Sequence, residues 1–158
     1  MLIRLGRYQE YSLRFVVIGI TVGIIDASKG ALIILIAQVA NQPQTAILAT
    51  GIAAVIGHNW PVFIDFRGGR GESTAIGVLL AVVTQPMLIV AGPALLTLFI
   101  SRNVILASAI LFIPLPLAGW WTGISGTLIA YSLVLPCLVG FTHFLRTRQL
   151  TIRQVKIH

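Results

Sequence analysis

Long apolar stretches separated by short polar breaks occupy most of the chain. They predict helices because apolar residues continue well beyond the four to eight positions typical of a buried strand. A bilayer-crossing helix needs about 20 such residues, and several of the stretches approach or exceed that length. Six helical segments are predicted, at 15–40, 45–64, 73–83, 87–100, 104–118 and 127–145. The pattern therefore predicts an all-α, polytopic membrane helix bundle of about six segments. It would form a single membrane domain over residues 1–158, with the bundle at 15–145 and basic ends at 1–14 and 146–158.

The third predicted segment, Ser73–Val83, is too short to cross a membrane. As a helix it measures only about 16 Å, at 1.5 Å per residue, against a hydrocarbon core of about 30 Å. A glycine-rich stretch precedes it, and irregular backbone is tolerated at membrane depth only where protein or water surrounds it. We therefore expect a half-spanning helix that starts deep, from a loop that dips into the membrane.

The composition supports a membrane protein. Only 9% of the 158 residues are charged and 57% are hydrophobic, whereas a soluble domain carries about 25% charged residues. This excludes an ordinary soluble domain and a disordered chain. The single cysteine, Cys137, excludes an internal disulfide. Residues 1–14 contain charges without an apolar core, so they do not form a signal peptide.

The charge distribution predicts the topology. The chain has 11 Lys and Arg against four Asp and Glu, a net charge of +7. Ten of the 11 basic residues fall on one side of the membrane if the chain turns at Thr84–Pro86, and Lys29 is the exception. Because short cytoplasmic loops collect Lys and Arg, both ends are expected in the cytoplasm. The basic residues are spread over loops and tail, so lipid headgroups or small anions are expected partners and nucleic acid is not.

The glycine-rich stretch from Asp65 to Thr74 is the strongest local signal. Its glycines, Gly68, Gly69 and Gly71, let successive backbone N–H groups point to one side, and such a nest before a helix binds anions. Arg67 and Arg70 add donors suited to phosphate. The alternative interpretation is a plain cytoplasmic turn whose arginines only reflect topology.

Several polar residues occur at unusual places in the apolar segments. His58 and Asn59 end the second segment and can line a polar cavity beside the anion site, or they can simply cap the helix end. Asp26 and Lys29 lie three residues apart in the middle of the first segment, which favours an ion pair with a structural role. His143 ends the last segment, where a histidine can act as a base or hold a phosphate. Four acidic residues without metal-ligand spacing predict no metal site and no cofactor.

Four runs of residues resemble the motifs of a known family, in the same order along the chain. They are Asp26-x-x-Lys29-Gly30; Gly57-His58-Asn59-Trp60-Pro61-Val62-Phe63 with Phe66-Arg67-Gly68-Gly69-Arg70-Gly71, Thr74 and Gly77; Arg102 with Ser108; and His143. The family is PlsY, the bacterial acyl-phosphate:glycerol-3-phosphate acyltransferases. The similarity extends from about Leu13 to Arg148.

The resemblance implies an inner-membrane enzyme with its motifs on the cytoplasmic side. It would transfer a fatty acyl group from acyl phosphate to the 1-hydroxyl of glycerol-3-phosphate and give lysophosphatidic acid for phospholipid synthesis. His143 is the implied catalytic residue, orienting or deprotonating the attacking hydroxyl, unless the leaving phosphate accepts the proton itself. The implied substrate-binding residues are His58, Asn59, Arg67, Gly68, Gly69, Arg70, Gly71, Thr74, Arg102 and Ser108.

The chain departs from the family pattern at three places. The family begins with a further membrane helix and a loop resembling GSGNxGATN, so that it has seven helices where six segments are predicted here. The residue expected to be Asn after His143 is Arg146, and Arg67 and Arg70 replace lysines. We therefore keep two alternatives: a truncated or inactive relative that retains the fold and binds anions or partners, and a small-anion transporter, suggested by Asp26 and Lys29 at membrane depth.

Overall fold

Helices form nearly all of the described chain. The computed structural model describes the backbone of residues 2–61, 69 and 71–155, and the side chains of residues 17–61, 69 and 71–145. Within these ranges there are seven helices and no strand: α1 (Leu2–Val39), α2 (Gln44–Asn59), α3 (Glu72–Val82), α4 (Thr84–Ser101), α5 (Val104–Phe112), α6 (Leu115–Trp121) and α7 (Gly126–Val155). The predicted all-α class is confirmed.

Four stretches of the described residues are long and apolar enough to cross a membrane. They are Val17–Val39, Thr84–Ser101, Val104–Trp121 and Gly126–Leu145. The third of them contains both α5 and α6, so the seven helices correspond to the six predicted segments. The predicted polytopic membrane bundle is therefore confirmed. The helical backbone of α1 and α7 also continues into the ends that the sequence predicted to lie outside the bundle.

Prolines explain why the predicted fifth segment consists of two helices. Pro114 and Pro116 lack the N–H groups that a continuous helix would bond to the carbonyls four residues earlier. Helix α5 ends at Phe112, and α6 begins at Leu115 with Pro116 in its first turn, where a missing N–H costs nothing. Because Ala118 still bonds back to the Pro114 carbonyl at 2.9 Å, the two helices are separated by only a short break.

The break between the third and fourth segments lies one residue earlier than predicted. Val83 alone is non-helical, with φ −127° and ψ 55°, and α4 starts at Thr84. The predicted turn at Thr84–Pro86 is therefore wrong in detail, because these residues form the first turn of α4. Proline is compatible with that position, so Pro86 marks the start of the helix. The division into a short helix and a longer one is as predicted.

Helices α1 and α3 pack backbone against backbone. A Cβ atom placed on Gly77 would lie 1.8 Å from the Ala27 carbonyl oxygen, and one on Gly30 would lie 2.3 Å from the Thr74 carbonyl oxygen. Residues without a side chain at such positions allow close helix contact, which is the main source of packing energy where no water is displaced. The two glycines therefore fix the depth and angle at which α3 sits on α1.

The short helix α3 is the centre of the bundle. Val78 and Leu79 are fully buried, and they belong to a core that includes Ile34 of α1, Val55 of α2 and Leu135 of α7. The start of α3 is level with Gly23 of α1, whose Cβ would lie 3.5 Å from the Ser73 hydroxyl. Because Gly23 lies about 9 Å along the helix from Val17, α3 begins beside the interior of the apolar stretch of α1.

Candidate functional site

The end of α2 and the first turn of α3 bring polar side chains together inside the bundle. Four helices contribute to the cluster: α1, α2, α3 and α7, with α5 adjoining it at the start of α3. The helix ends meet here because α3 starts deep against α1. The sequence left open whether His58 and Asn59 lie beside the glycine-rich stretch or only cap the helix end; in the structure they contact Gly69 and Gly71.

Asn59 connects α2 to α7 and to the loop. Its side chain is buried, 1% exposed, and its amide Nδ2 donates a hydrogen bond of 3.4 Å to the Thr142 hydroxyl oxygen of α7. The Thr142 hydroxyl in turn donates to the Val139 carbonyl at 2.7 Å. A buried amide is costly unless it is hydrogen bonded, so this contact fixes the rotamer of Asn59.

Gly71 begins α3 directly against the Asn59 side chain. Its φ of +72° lies in the left-handed region, and a Cβ atom there would lie 2.3 Å from the Asn59 Oδ1. Only glycine meets both demands. The carbonyl of Gly71 accepts the first helical bond, from the Ala75 N–H at 2.9 Å. As a glycine, the N-cap residue has no side chain to cap α3. The first-turn N–H groups have no partner within the helix, and they carry the positive end of the helix dipole.

Thr74 presents a buried hydroxyl in the same first turn. The residue is 3% exposed, and its Oγ1 makes no hydrogen bond to any described residue. A buried hydroxyl without a partner costs about 1–3 kcal/mol. Together with the N–H groups after Gly71, it provides donors suited to an anion.

His58 lies between Asp26 and the glycine-rich loop. Its Nδ1 is 3.8 Å from the Asp26 Oδ1. The loop rests on its other edge, because a Cβ atom on Gly69 would lie 2.0 Å from the His58 Nε2. Gly69 also donates its N–H to the His58 carbonyl at 3.2 Å. Asp26 additionally pairs with Lys29 at 3.4 Å.

Ser108 reaches the cluster through Glu72. Its hydroxyl donates to the Glu72 carboxylate, which stands at the first residue of α3. The bond ties α5 to the start of α3. A carboxylate at a helix N-terminus is stabilised by the helix dipole, and here it also contributes the cluster's acidic edge.

The remaining predicted site residues have different positions. His143 follows Thr142 on α7 and is half-buried. Arg102 is exposed at the end of α4, with φ +51° in the left-handed region. Arg67, Gly68 and Arg70 lie outside the described residues. The structure thus brings together His58, Asn59, Gly69, Gly71 and Thr74, and links Ser108 to them through Glu72.

Three residues of the cluster were not predicted as site residues. Asp26 was interpreted as half of a structural pair, although an acidic residue in an apolar segment is itself a signal of function. Glu72 lies within the glycine-rich stretch and carries the only acidic charge in the first turn of α3. Thr142 gave no signal, since a lone threonine in an apolar helix is common. Among the described residues no group of three His, Cys, Asp or Glu side chains has the spacing of a metal site.

Comparison with known proteins identifies the family. The family model described as glycerol-3-phosphate acyltransferase matches residues 13–153. Glycerol-3-phosphate acyltransferase 4 of Dehalococcoides mccartyi is 50% identical over 131 residues, which are 83% of this chain and 71% of that protein. Glycerol-3-phosphate acyltransferase 1 of Moorella thermoacetica is 36% identical, over 80% of this chain and 66% of that protein. The glycerol-3-phosphate acyltransferase of Neisseria meningitidis serogroup C is 38% identical, over 75% and 61%.

The chain thus spans about two thirds of the length of these curated relatives. No solved structure matches it. The family match covers both the polar cluster and the helices that hold it. The chain belongs to the glycerol-3-phosphate acyltransferase family.

Proposed function

We propose that the protein transfers a fatty acyl group from acyl phosphate to the 1-hydroxyl of glycerol-3-phosphate and gives lysophosphatidic acid for phospholipid synthesis. The family assignment supports acylation of glycerol-3-phosphate, and the acyl-phosphate donor comes from the resemblance of the motifs. The observation that carries the proposal is the start of α3, where the helix begins at Gly71 and the buried Thr74 hydroxyl has no hydrogen-bond partner among the described residues.

The hydrogen-bond donors at the start of α3 suit a phosphate group. The N–H groups that follow Gly71 point along the helix axis toward the start of α3, and the Thr74 hydroxyl lies in the same turn. Backbone N–H groups at a helix start are a frequent phosphate site. We propose that glycerol-3-phosphate places its phosphate here, with Arg67 and Arg70 as cationic partners and Asn59 holding the loop in place.

The acyl transfer conserves atoms and charge in a simple exchange. The 1-hydroxyl oxygen of glycerol-3-phosphate forms a bond to the acyl carbonyl carbon, and the bond from that carbon to the phosphate oxygen breaks. Inorganic phosphate leaves. The hydroxyl proton passes to His143, or to the leaving phosphate itself, and histidine is the side chain that most often takes such a proton. We propose His143 as the catalytic residue, with Arg102 and Ser108 on the acyl-phosphate side.

The proposed location is the bacterial cytoplasmic membrane, with both ends and the active face in the cytoplasm. The four apolar stretches support a multi-pass membrane protein. The one-sided distribution of basic residues supports the orientation. Glycerol-3-phosphate is a soluble anion and the acyl chain is apolar, so a site at the edge of the apolar region suits both substrates.

Replacement of Arg70 tests the proposal. Arg70→Ala removes a charge-assisted contact worth about 1.5–3 kcal/mol, so the KM for glycerol-3-phosphate should rise while the KM for acyl phosphate stays the same. The assay follows labelled glycerol-3-phosphate into lipid with the purified chain in detergent micelles.

Arg153→Ala is the matched control, since it removes an arginine of the basic tail outside the motifs. Equal kinetics for both variants would show that Arg70 is only a topology signal. A folded wild-type chain that binds glycerol-3-phosphate but transfers no acyl group would instead favour the non-catalytic relative.

A further inference from the structure

We infer that Asp26 positions His58, and that His58 in turn holds Gly69 in the position that the binding of glycerol-3-phosphate requires. The inference rests on the proposed function and assigns to Asp26 a role beyond its ion pair with Lys29. Asp26 is a positioning residue here, because it acts through His58.

The first step is the contact between α1 and α2. The Asp26 Oδ1 lies 3.8 Å from the His58 Nδ1, and both side chains are mostly enclosed, 16% and 21% exposed. Charges are screened poorly in such surroundings. At 3.8 Å the two atoms attract each other electrostatically without forming a hydrogen bond. The contact favours the ring orientation in which Nδ1 faces Asp26 and Nε2 faces Gly69.

The second step is the contact between the ring and the loop. Nε2 faces Gly69 so closely that a Cβ atom there would lie 2.0 Å from it, and the Gly69 N–H bonds to the His58 carbonyl at 3.2 Å. His58 therefore fixes Gly69 by its backbone and by its side chain. If the imidazole rotated, Gly69 would lose its contact with the ring.

The third step is the contact between Asn59, the residue after His58, and Gly71. Asn59 supports Gly71 in the same way that His58 supports Gly69, with its Oδ1 2.3 Å from the position of a Gly71 Cβ. Consecutive side chains at the end of α2 thus support alternate glycines of the loop. Asn59 is itself fixed by Thr142 of α7, and Asp26 of α1 is the corresponding fixing residue for His58.

Lys29 does not account for the placement of Asp26. Both residues of that ion pair, 3.4 Å apart, lie on α1, so the pair does not connect α1 to another helix. The contact of Asp26 with His58, at 3.8 Å, does connect α1 to α2. The geometry points to His58 as the contact that matters for the loop.

The test combines kinetics with direct binding. Asp26→Asn should raise the KM for glycerol-3-phosphate about 10-fold, with kcat and the KM for acyl phosphate changed by less than about twofold. Isothermal titration of glycerol-3-phosphate onto the folded full chain should show the same loss of affinity. Asp26→Glu should restore part of it, because the carboxylate is kept.

Two further variants make the test specific. The double variant Asp26→Asn with His58→Gln should bind glycerol-3-phosphate as well as His58→Gln alone, because both substitutions remove the same interaction. Gln38→Leu is the control, since it removes another polar α1 contact to α3, from Nε2 to the Ala81 carbonyl at 3.3 Å, and should leave glycerol-3-phosphate affinity unchanged.

The outcomes separate this inference from the proposed function. A fall in kcat with both KM values unchanged, additive effects of the two substitutions, or an equal loss of affinity in Gln38→Leu would overturn the positioning role. If wild-type protein transfers no acyl group, the proposed function fails, and the titration still decides the inference. Unchanged affinity in Asp26→Asn, or no binding by the wild type, would then refute it.

Discussion

A methyl group added at Gly77 tests the backbone contact that places α3 on α1. A Cβ atom there would lie 1.8 Å from the Ala27 carbonyl oxygen, whereas ordinary van der Waals contact begins at 3.4 Å. The two helices would have to separate by about 1.6 Å to admit it. The obstructing atom is backbone, so no side-chain rotation can relieve the clash. Overpacking of this kind costs about 1–3 kcal/mol.

The matched control for Gly77→Ala is Gly140→Ala. Gly140 is also inside a helix, α7, and no heavy atom of the described residues outside its own helix lies within 4 Å of its Cβ position. Both substitutions gain the same helix propensity, about 1 kcal/mol. The difference between the two variants therefore isolates the clash.

The assay is unfolding in mild detergent by titration with sodium dodecyl sulfate, followed by tryptophan fluorescence. We expect Gly77→Ala to be less stable than Gly140→Ala by about 1–3 kcal/mol. Asp26 is the neighbour of Ala27 on α1, so a shift of α1 away from α3 should also displace Asp26. Glycerol-3-phosphate binding should then become weaker. Equal stability of the two variants would refute the close packing of α1 on α3.

Two further substitutions separate stability from activity. Thr74→Val removes a buried hydroxyl without a described partner, so the stability of the protein should stay the same or rise by about 1 kcal/mol. The KM for glycerol-3-phosphate should increase. A less stable protein with normal kinetics would contradict this prediction. Arg102→Gly removes the backbone strain of a residue in the left-handed region, which should stabilise the protein by about 1 kcal/mol in thermal unfolding. The same substitution should lower the initial rate with acyl phosphate. An unchanged rate would show that Arg102 is not part of the site.

The sequence predicted the helices well because their signal is local. Apolar runs determine where helices can form, and the preference of basic residues for cytoplasmic loops divided Ser73–Ile100 into two segments. The break between α5 and α6 was missed, although Pro114 and Pro116 mark it. The exact break at Val83 was missed, since nothing about a valine marks a non-helical residue. The pairing of α1 with α3 was also out of reach, because it depends on Gly30 and Gly77, 47 residues apart.

The candidate site was predictable only where its residues are contiguous. His58, Asn59 and the glycines lie within 14 positions, and their meeting follows from the chain itself. The contact of Asp26 with His58 and that of Asn59 with Thr142 join different helices, so they depend on packing rather than on spacing. The pairing of Asp26 with Lys29 was predicted correctly, whereas its second partner, His58, required the fold.

The most direct test of the proposed function is phosphorus NMR of the purified chain with acyl phosphate and glycerol-3-phosphate. The account predicts that lysophosphatidic acid and inorganic phosphate appear in equal amounts, and that neither forms at this rate when glycerol-3-phosphate is omitted. A folded protein that gives no lysophosphatidic acid above background, or that releases phosphate without forming it, would contradict the account.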